Sequence, residues 1–209
     1  MEISKIEQAL KQNRPETDIE RDRNRKPADV LHFFGIQEGQ KIGEMNSGRG
    51  YLSAITAYAL EESGEVYAHT APQSVKRWKG NPIEKRLEEY PQKNLIPIVG
   101  EMENPNFPED LDMIINCMTY HDTVWTKADR MKMNESIFES LKKGGSYCII
   151  DHHAKDGHGI DDCHSIHIVN GWNIEILLDN MNRSQKLIPD WYGYRLIATE
   201  IQGSINLGL

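Results

Sequence analysis

The stretch KIGEMNSGRG, residues 41–50, decides the fold that is predicted for this chain. Its first half reads as a short strand, and its second half is a turn that contains Gly48 and Gly50 and leads at once into a helix, Tyr51–Leu60. Glycine lets the backbone turn sharply and approach a ligand closely, and a helix start offers unpaired N–H donors with a partial positive charge. A strand, a glycine-rich turn and a helix in this order predict the first unit of a nucleotide-binding α/β sheet.

Outward from this stretch, extended and helical periods alternate along the chain. Apolar runs typical of strands buried on both faces occur at Leu111–Met118 and Ser146–Ile150. Two late extended runs, Gln185–Pro189 and Tyr194–Ile201, predict a closing hairpin. Further strands are predicted at Lys41–Met45, Gly64–Ala68 and Leu95–Val99, and further helices around Ser74–Trp78, Ile83–Tyr90, Arg130–Lys142 and Trp172–Leu178. The pattern predicts an α/β, doubly wound, mostly parallel seven-stranded sheet with an antiparallel C-terminal hairpin.

The first 35 residues read as a helical extension of that sheet. A helical period at Ile3–Leu10 is broken by Asn13-Arg14-Pro15, and a second helix is predicted from Pro27 to the glycine at position 35. No repeat, low-complexity tract or linker divides the chain, so residues 1–35 and residues 36–209 are expected to form one structural unit. The extension either covers a pocket or forms a contact in a possible homodimer.

The charge balance restricts the class of partner. Acidic residues number 32 against 24 basic ones, and the net charge is −8. Binding to nucleic acid depends on clustered Lys and Arg, so nucleic acid is excluded as a partner and a small molecule is expected. One local basic strip, formed by Arg21, Arg23, Arg25 and Lys26, is either a solvated helix face or loop, or an anion contact over the pocket.

Localisation is predicted from the absence of an apolar signal segment at the N-terminus and of any apolar run of about 18 residues, which a membrane helix needs. The protein is therefore expected to be cytoplasmic, without a membrane partner. Its three cysteines, Cys117, Cys148 and Cys163, are then expected to be reduced.

The glycine turn resembles the first motif of class I S-adenosylmethionine-dependent methyltransferases, in which an acidic residue precedes a Gly-x-Gly-x-Gly loop. The resemblance implies that Glu44 contacts the cationic methionine end of the cofactor and that the loop from Asn46 through Ser47 and Gly48 to Gly50 passes under it. Asn46 stands where the family has its first glycine. Asn tolerates left-handed backbone angles better than most residues, so the loop is expected to keep its shape.

Two later segments extend the resemblance. Glu101 and Met102 follow the third strand, where these methyltransferases hold the adenine, and Asn116 lies where the fourth strand enters the pocket. The second strand, however, ends in His69 and Thr70, where the family has an acidic residue that grips both ribose hydroxyls. The resemblance therefore implies that His69 or Thr70 makes weaker ribose contacts and that cofactor affinity is reduced.

Several short strings resemble a narrower group of largely uncharacterised predicted methyltransferases, over about residues 6–180. They are Arg25-Lys26-Pro27, His32-Phe33-Phe34-Gly35-Ile36, Gly50-Tyr51-Leu52-Ser53, Val66-Tyr67-Ala68, Tyr120-His121-Asp122, Ile150-Asp151-His152 and Ser165-Ile166-His167. The group implies a fold and a cofactor, S-adenosylmethionine, but no particular methyl acceptor.

Two of these strings supply candidate catalytic residues, because both follow strands and lie at the carboxyl edge of the sheet. His121 or His152 would act as the general base that removes the proton of an acceptor, with Asp122 or Asp151 orienting the imidazole. Tyr120 would pack against or hydrogen-bond the cofactor. The alternative is that these residues only cap helices and satisfy backbone groups.

Two other functions remain open at this point. Residues 151–167 contain five histidines and four aspartates, a mixture that suits Zn, Fe, Mn or Ni, so a metal-dependent enzyme of another class is one alternative. A non-catalytic cofactor-binding or interaction protein is the other, because Asn46 and His69 depart from the methyltransferase pattern. Transfer of a methyl group to a small molecule is the function that the whole pattern favours, and no metal site is assigned.

Overall fold

A computed structural model describes residues 1–152 and 195–201 of the chain. The described strands form one six-stranded sheet in the order β3-β2-β1-β4-β5-β6, and every neighbouring pair is parallel. Strand order reverses between β1 and β4, so their carboxyl ends meet at the switch point where α/β sheets bind ligands. The strands are β1 (Lys41–Glu44), β2 (Glu65–Thr70), β3 (Leu95–Val99), β4 (Leu111–Cys117), β5 (Leu141–His152) and β6 (Arg195–Ile201).

The edge of the sheet differs from the prediction. The run 194–201 was expected to be antiparallel, but β6 pairs in parallel with β5, from Ser146 opposite Arg195 to His152 opposite Ile201. The antiparallel expectation is therefore wrong for this strand. Residues 153–194 lie between the two strands in sequence. A parallel crossover requires only about a dozen residues, so this length allows β6 to pair with β5 in either direction. The other predicted run, 185–189, and the predicted helix, 172–178, lie outside the described residues.

Eight α-helices occur among the described residues, and two of them were not predicted. These two are α2, which carries the basic strip, and the short α7. The predicted helix over 130–142 ends earlier, because Leu141 already pairs with Leu111 of β4 and the strand then shifts register to reach Ser146. The helices are α1 (Ile3–Ala9), α2 (Glu16–Arg25), α3 (Pro27–Phe34), α4 (Tyr51–Leu60), α5 (Pro72–Arg77), α6 (Pro82–Glu89), α7 (Asp122–Thr126) and α8 (Arg130–Ser140).

Hydrophobic side chains are buried on both faces of the sheet. Neighbouring residues of β4 divide between two core clusters, since Met113 and Ile115 join one and Ile114 joins the other. The first cluster includes buried residues of α1, α3 and α4, and the second includes Met133 and Ile137 of α8. The N-terminal extension thus shares its core with the sheet.

Helix α2 is fixed to the start of α4, which follows the glycine turn. The Tyr51 hydroxyl donates a hydrogen bond to Oδ1 of Asp22 at 2.8 Å. The buried Arg14 donates to the same carboxylate, and its Nη1 lies 3.1 Å from Asp22 Oδ1. Asp18 of α2 forms a buried ion pair with Arg86 of α6 at 2.7 Å. These contacts hold α2 against α4 and α6.

Candidate functional site

The turn between β1 and α4 is held in left-handed backbone conformations. Asn46, Gly48 and Gly50 have φ angles of 46°, 61° and 75°. A Cβ atom at Gly50 would lie 2.9 Å from Ile83 Cδ1, so a larger residue here would displace the end of that side chain in addition to straining the backbone. A Cβ at Gly48 would meet no heavy atom within 4 Å, so this glycine borders open space. The turn therefore presents its backbone to a space in which a ligand can lie.

The imidazole of His69, at the end of β2, links the turns that follow β1 and β3. Its Nδ1 accepts a hydrogen bond from the backbone N–H of Asn46 at 3.1 Å, and its Nε2 donates to the carbonyl oxygen of Gly100 at 2.8 Å. The carbonyl of His69 also accepts from the N–H of Ser47 at 2.9 Å. His69 has no exposed surface, and burial lowers its pKa to about 4, so the ring is neutral at physiological pH. Both ring nitrogens are thus engaged within the protein.

The two departures from the methyltransferase pattern, Asn46 and His69, are therefore in contact with each other. Asn46 adopts the left-handed conformation that the family's glycine adopts easily, and its N–H is satisfied by the imidazole that replaces a side chain of the usual pattern. The turn is kept by a different set of hydrogen bonds. The ring of His69 is occupied by backbone groups, which leaves Thr70 as the candidate for a ribose contact.

Thr70 follows His69 as the last residue of β2. Its side chain is only 1% exposed, and its hydroxyl oxygen has no hydrogen-bond partner among the residues that the structure describes. Buried polar groups are almost always paired, so an unpaired hydroxyl at the carboxyl end of a central strand indicates a position that a ligand or water completes.

Glu44 is a buried carboxylate at the end of β1. It is 5% exposed, and the hydroxyl of Ser53, in the first turn of α4, donates a hydrogen bond to its Oε2. Burial raises the pKa of Glu44 to about 7, although hydrogen bonds from Ser53 and the charges of Arg25 and Arg86 lower it. A carboxylate that is costly to ionise alone gains from a cation, so this position favours a positively charged ligand group.

Arg25, the last residue of α2, is the member of the basic strip that faces this region. Its guanidinium lies 5.4 Å from the centre of the Tyr51 ring, and its charge acts on Glu44 and on Cys117 at the end of β4. Arg21 instead lies 3.9 Å from Asp18, and Arg23 and Lys26 are exposed. The structure therefore places the buried carboxylate of Glu44, at the end of β1, under the influence of two cations, Arg25 of α2 and Arg86 of α6.

The remaining residues predicted to hold a cofactor occupy different surroundings. Met102 is buried in the second core cluster, whereas Glu101 is exposed after β3. Asn116 has no exposed surface, and its amide donates to the Tyr147 hydroxyl at 3.1 Å. The Asn116 side-chain oxygen accepts from the Thr119 hydroxyl at 2.8 Å. Met102 and Asn116 are thus buried within the protein, and of these three residues only Glu101 is exposed.

His121 and Asp151 form a buried pair between the turns that follow β4 and β5. Nδ1 of His121 lies 2.7 Å from Oδ1 of Asp151, and the backbone N–H of His121 donates to Oδ2 at 2.9 Å. Desolvation lowers the pKa of His121, but the hydrogen bond to Asp151 and the charges of Asp151 and Asp122 outweigh it, so the pKa is raised above 6.5. The sequence left Asp122 and Asp151 open as the residue that orients the imidazole, and in the structure Asp151 makes the contact with Nδ1 of His121.

Asp122 connects this pair with the glycine turn. Its Oδ1 lies 3.5 Å from Nε2 of His121, and its Oδ2 accepts a hydrogen bond from the Asn46 side-chain amide at 3.4 Å. Tyr120, in contrast, has no exposed surface and packs in the second core cluster. His152 ends β5, and its side chain is not described. The candidate base and the candidate cofactor loop are therefore neighbours.

The metal alternative falls mostly outside the described part of the chain. Within residues 1–152 and 195–201, no group of three His, Cys, Asp or Glu side chains is arranged to hold a metal ion. Residues 153–167, the centre of the histidine-rich loop, lie outside the described residues. Cys117 and Cys148 are free thiols, and Cys163 is not among the described residues. No helix in the described ranges has both the length and the apolar character of a membrane span.

Three solved structures with similar folds are methyltransferases. A SAM-dependent methyltransferase from Aquifex aeolicus superposes with a TM-score of 0.64 and 18% identity, over 88% of each chain. Phosphoethanolamine N-methyltransferase 2 of Haemonchus contortus, in complex with S-adenosyl-L-methionine, superposes with a TM-score of 0.59 and 16% identity, over 77% of this chain and 36% of that one. Geranyl diphosphate methyltransferase, in complex with GPP and sinefungin, superposes with a TM-score of 0.56 and 15% identity, over 77% of this chain and 59% of that one.

No protein-family model matches the sequence, and no curated protein matches it. At these low identities the structural likeness shows the fold alone. The chain has the Rossmann-like fold of SAM-dependent methyltransferases, and the fold predicted from the glycine turn is confirmed.

Replacement of His69 by Leu tests the bridge across the three strand ends. His69→Leu leaves the Asn46 N–H and the Gly100 carbonyl unpaired, and each buried orphan costs about 1–3 kcal/mol. We expect a loss of about 2–6 kcal/mol in the free energy of unfolding, measured by urea denaturation at pH 7. His32→Leu, at an exposed histidine, is the control and should change stability by less than about 1 kcal/mol.

The pH dependence of stability provides the second half of this test. Because the pKa of His69 is depressed in the folded state, the unfolded chain binds the proton first, and this group's contribution is lost as pH falls from 6.5 towards 4. His69→Leu should lack that component. Equal urea midpoints and equal acid sensitivity in wild type and His69→Leu would show that the bridge does not stabilise the turn.

Proposed function

We propose that this protein is an S-adenosylmethionine-dependent methyltransferase that acts on a small molecule. The observation that carries the proposal is the buried carboxylate of Glu44 at the start of a left-handed glycine turn, where the charge of Arg25 acts on it. The methionine end of the cofactor bears one ammonium and one carboxylate. Glu44 would pair with the ammonium group, and Arg25 would pair with the carboxylate.

The residues of the site fit the rest of the cofactor. Open space adjoins Gly48, where the backbone would pass beneath the ligand, and the unpaired hydroxyl of Thr70 would accept or donate a hydrogen bond to a ribose hydroxyl. Met102 and Glu101 would border the adenine. When bound, the cofactor supplies an electrophilic methyl group on a sulfonium sulfur. A single hydroxyl in place of a carboxylate makes a weaker ribose contact, since hydrogen bonds to charged groups contribute about 1.5–3 kcal/mol and neutral ones about 1 kcal/mol.

His121 would serve as the general base. Asp151 fixes the imidazole through Nδ1, and Nε2, which lies 3.5 Å from Oδ1 of Asp122, would take a proton from an O–H or N–H acceptor. Asp151 is then a positioning residue that also stabilises the charge formed on the ring. Asp122, hydrogen-bonded to Asn46, keeps this base beside the glycine turn. Alignment of the acceptor and exclusion of water complete what the protein must provide.

Small-molecule acceptors fit the acidic net charge of −8, which disfavours nucleic acid. The relatives in fold named above include enzymes solved with small ligands, one with S-adenosyl-L-methionine and one with GPP and sinefungin. The chemical identity of the acceptor and the atom that is methylated are separate questions that an acceptor screen addresses once cofactor binding is measured.

Calorimetry with three ligands tests the proposed charge match. S-adenosylmethionine and S-adenosylhomocysteine carry the amino-acid end, and 5′-methylthioadenosine lacks it. Arg25→Met should weaken the first two by about 10-fold or more, because a charged hydrogen bond is lost, and should leave 5′-methylthioadenosine unchanged. Arg23→Met, at an exposed position of the same helix, is the matched control and should bind all three like the wild type.

Two outcomes would contradict different parts of this account. If the folded wild-type protein bound none of the three ligands, the proposed function would be wrong. If Arg25→Met weakened all three ligands equally, Arg25 would act through the fold of α2 and not through the carboxylate.

The affinity for S-adenosylmethionine should also depend on pH through Glu44. With a pKa of about 7, Glu44 is largely protonated below that pH and must lose its proton when the ammonium group binds. Affinity should therefore fall by up to about 10-fold for each pH unit below 7, and binding should release a proton, detectable from the buffer dependence of the measured enthalpy. Glu44→Gln should bind more weakly and lose this slope. A wild-type affinity that is constant from pH 5.5 to 8 would exclude the role given to Glu44.

The assignment of His121 as the base predicts its titration. In an NMR titration of the histidine side chains, its pKa should lie above 6.5 in the wild type. Asp151→Asn should lower this pKa below 6.5, because burial then acts without the opposing carboxylate. Asp122→Asn, which removes a more distant carboxylate, is the comparison and should lower it less. A His121 pKa that Asp151→Asn leaves unchanged would rule out the pair.

A further inference from the structure

Helix α2 is attached to the rest of the protein by polar side chains and not by apolar packing. Of its ten residues only Asp18 is buried, and its one hydrophobic residue, Ile19, is 49% exposed. The helix ends at Lys26, which has a left-handed conformation with a φ angle of 44°. An element without an apolar anchor takes its position from its hydrogen bonds and ion pairs. The partners of α2 therefore decide where Arg25, its last residue, lies.

Tyr51 contacts two residues of α2 that lie three positions apart. Its hydroxyl donates to Oδ1 of Asp22 at 2.8 Å, and its ring lies 5.4 Å from the guanidinium of Arg25. Residues three apart share one face of a helix, so a single side chain can reach both. Tyr51 is 7% exposed and begins α4 directly after Gly50. It therefore connects the glycine turn with the last turns of α2.

Asp22 is held by a second partner, which fixes the hydroxyl end of the Tyr51 side chain. The buried Arg14 donates to Asp22 Oδ1 through Nη1 at 3.1 Å. The Nε of Arg14 donates to the carbonyl oxygen of Leu10, at the end of α1, at 3.2 Å. The ring of Tyr51 is thus anchored at both ends, by its own backbone in α4 and by a carboxylate that α1 and α2 hold in common.

The guanidinium of Arg25 is ordered by this ring without using its N–H donors. It is half-buried and makes no hydrogen bond or ion pair with any residue in the described ranges. Stacking uses the face of a guanidinium and leaves the donors at its edge for a planar oxyanion. An Arg side chain loses rotamer freedom when it pairs with a carboxylate, and a ring that orders it beforehand reduces this loss.

We propose that Tyr51 is a positioning residue for cofactor binding, which holds Arg25 where it pairs with the carboxylate of the amino-acid end. The ring orders the guanidinium, and the hydroxyl fixes α2 through Asp22. This inference rests on the proposed function and deepens it, because it assigns selectivity for the amino-acid end to a side chain that acts through Arg25. The backbone beneath the ligand and the support of the cation are then carried by consecutive residues, Gly50 and Tyr51.

The test measures how well the protein distinguishes S-adenosylhomocysteine from 5′-methylthioadenosine, which lacks the amino-acid end. Calorimetry at pH 8, where Glu44 is largely ionised, gives the ratio of the two affinities. Tyr51→Leu should reduce this ratio by about 10-fold by weakening S-adenosylhomocysteine alone, since the order of the guanidinium is lost. Tyr51→Phe keeps the ring and should retain the ratio to within about 3-fold.

Tyr58→Leu is the matched control on the same helix. The Tyr58 hydroxyl donates to the backbone carbonyl of Asn13 at 2.9 Å, so this variant also loses a contact with the N-terminal extension but not one with Arg25. Its ratio of affinities should equal that of the wild type. Circular dichroism of every variant verifies the fold before binding is measured.

A double variant shows whether Tyr51 acts through Arg25. In Arg25→Met no guanidinium is left to be placed, so the double variant Arg25→Met/Tyr51→Leu should have the same ratio of affinities as Arg25→Met alone. Additive losses in the double variant would mean that Tyr51 affects the amino-acid end by another route, and the proposal would be wrong.

Limited proteolysis without cofactor tests the hold on α2 independently of ligand binding. Trypsin cleaves after Arg, and Arg21 and Arg23 are exposed residues of this helix. Tyr51→Leu should be cleaved within α2 at least about 3-fold faster than Tyr58→Leu, because local opening of the helix becomes more frequent. Mass spectrometry of the fragments identifies the cleaved bond.

The outcomes separate this inference from the proposed function. A folded wild-type protein that bound neither ligand would contradict the proposed function itself. If the wild type bound both ligands and Tyr51→Leu left their ratio unchanged, or weakened both equally, only the positioning role would fall. Equal cleavage of α2 in Tyr51→Leu and Tyr58→Leu would show that Tyr51 does not hold this helix.

Discussion

The candidate site depends on one imidazole that holds three strand ends together. His69 accepts from the backbone of the turn after β1 and donates to the backbone of the turn after β3. Its ring remains neutral because burial depresses its pKa to about 4, so it acts as one donor and one acceptor in a fixed tautomer. Asn46, which this bridge holds through its backbone N–H, has a left-handed conformation and a side chain that donates to Asp122.

Near that bridge lie ionisable groups in surroundings that disfavour their charged forms. Glu44 has a pKa of about 7 because it is desolvated, and Arg25 lies over an aromatic ring near it. Such groups lower the stability of the unliganded protein, and they gain free energy when a ligand with the complementary charges binds. The same reasoning connects the turn with His121, whose buried partner Asp151 raises the His121 pKa against desolvation. The groups proposed for cofactor binding and those proposed for proton transfer are therefore neighbours, connected by the hydrogen bond between Asn46 and Asp122.

The sequence predicted the elements that local patterns define. The helix Tyr51–Leu60 and the strand Leu95–Val99 have the predicted bounds, because a glycine turn and an apolar run fix them locally. The direction of β6 was predicted wrongly, since a connection as long as residues 153–194 imposes no direction on the strand that follows it. The sequence left the partner of His121 open between Asp122 and Asp151, because Asp151 lies 30 positions away and only the parallel register of β4 and β5 brings the two together. The sequence did contain a signal for the His69 bridge, because Asn46 and His69 both depart from the methyltransferase pattern.

A crystal structure of the protein with S-adenosylhomocysteine tests the central claim most directly. The account predicts that the amino-acid end lies between Glu44 and Arg25, that the backbone at Gly48 passes beneath the ligand, and that the Thr70 hydroxyl contacts the ribose while His69 keeps both of its backbone hydrogen bonds. A ligand bound elsewhere on the chain would contradict the account. So would a ligand in this crevice that displaces His69 from Asn46 and Gly100 to make the ribose contact itself.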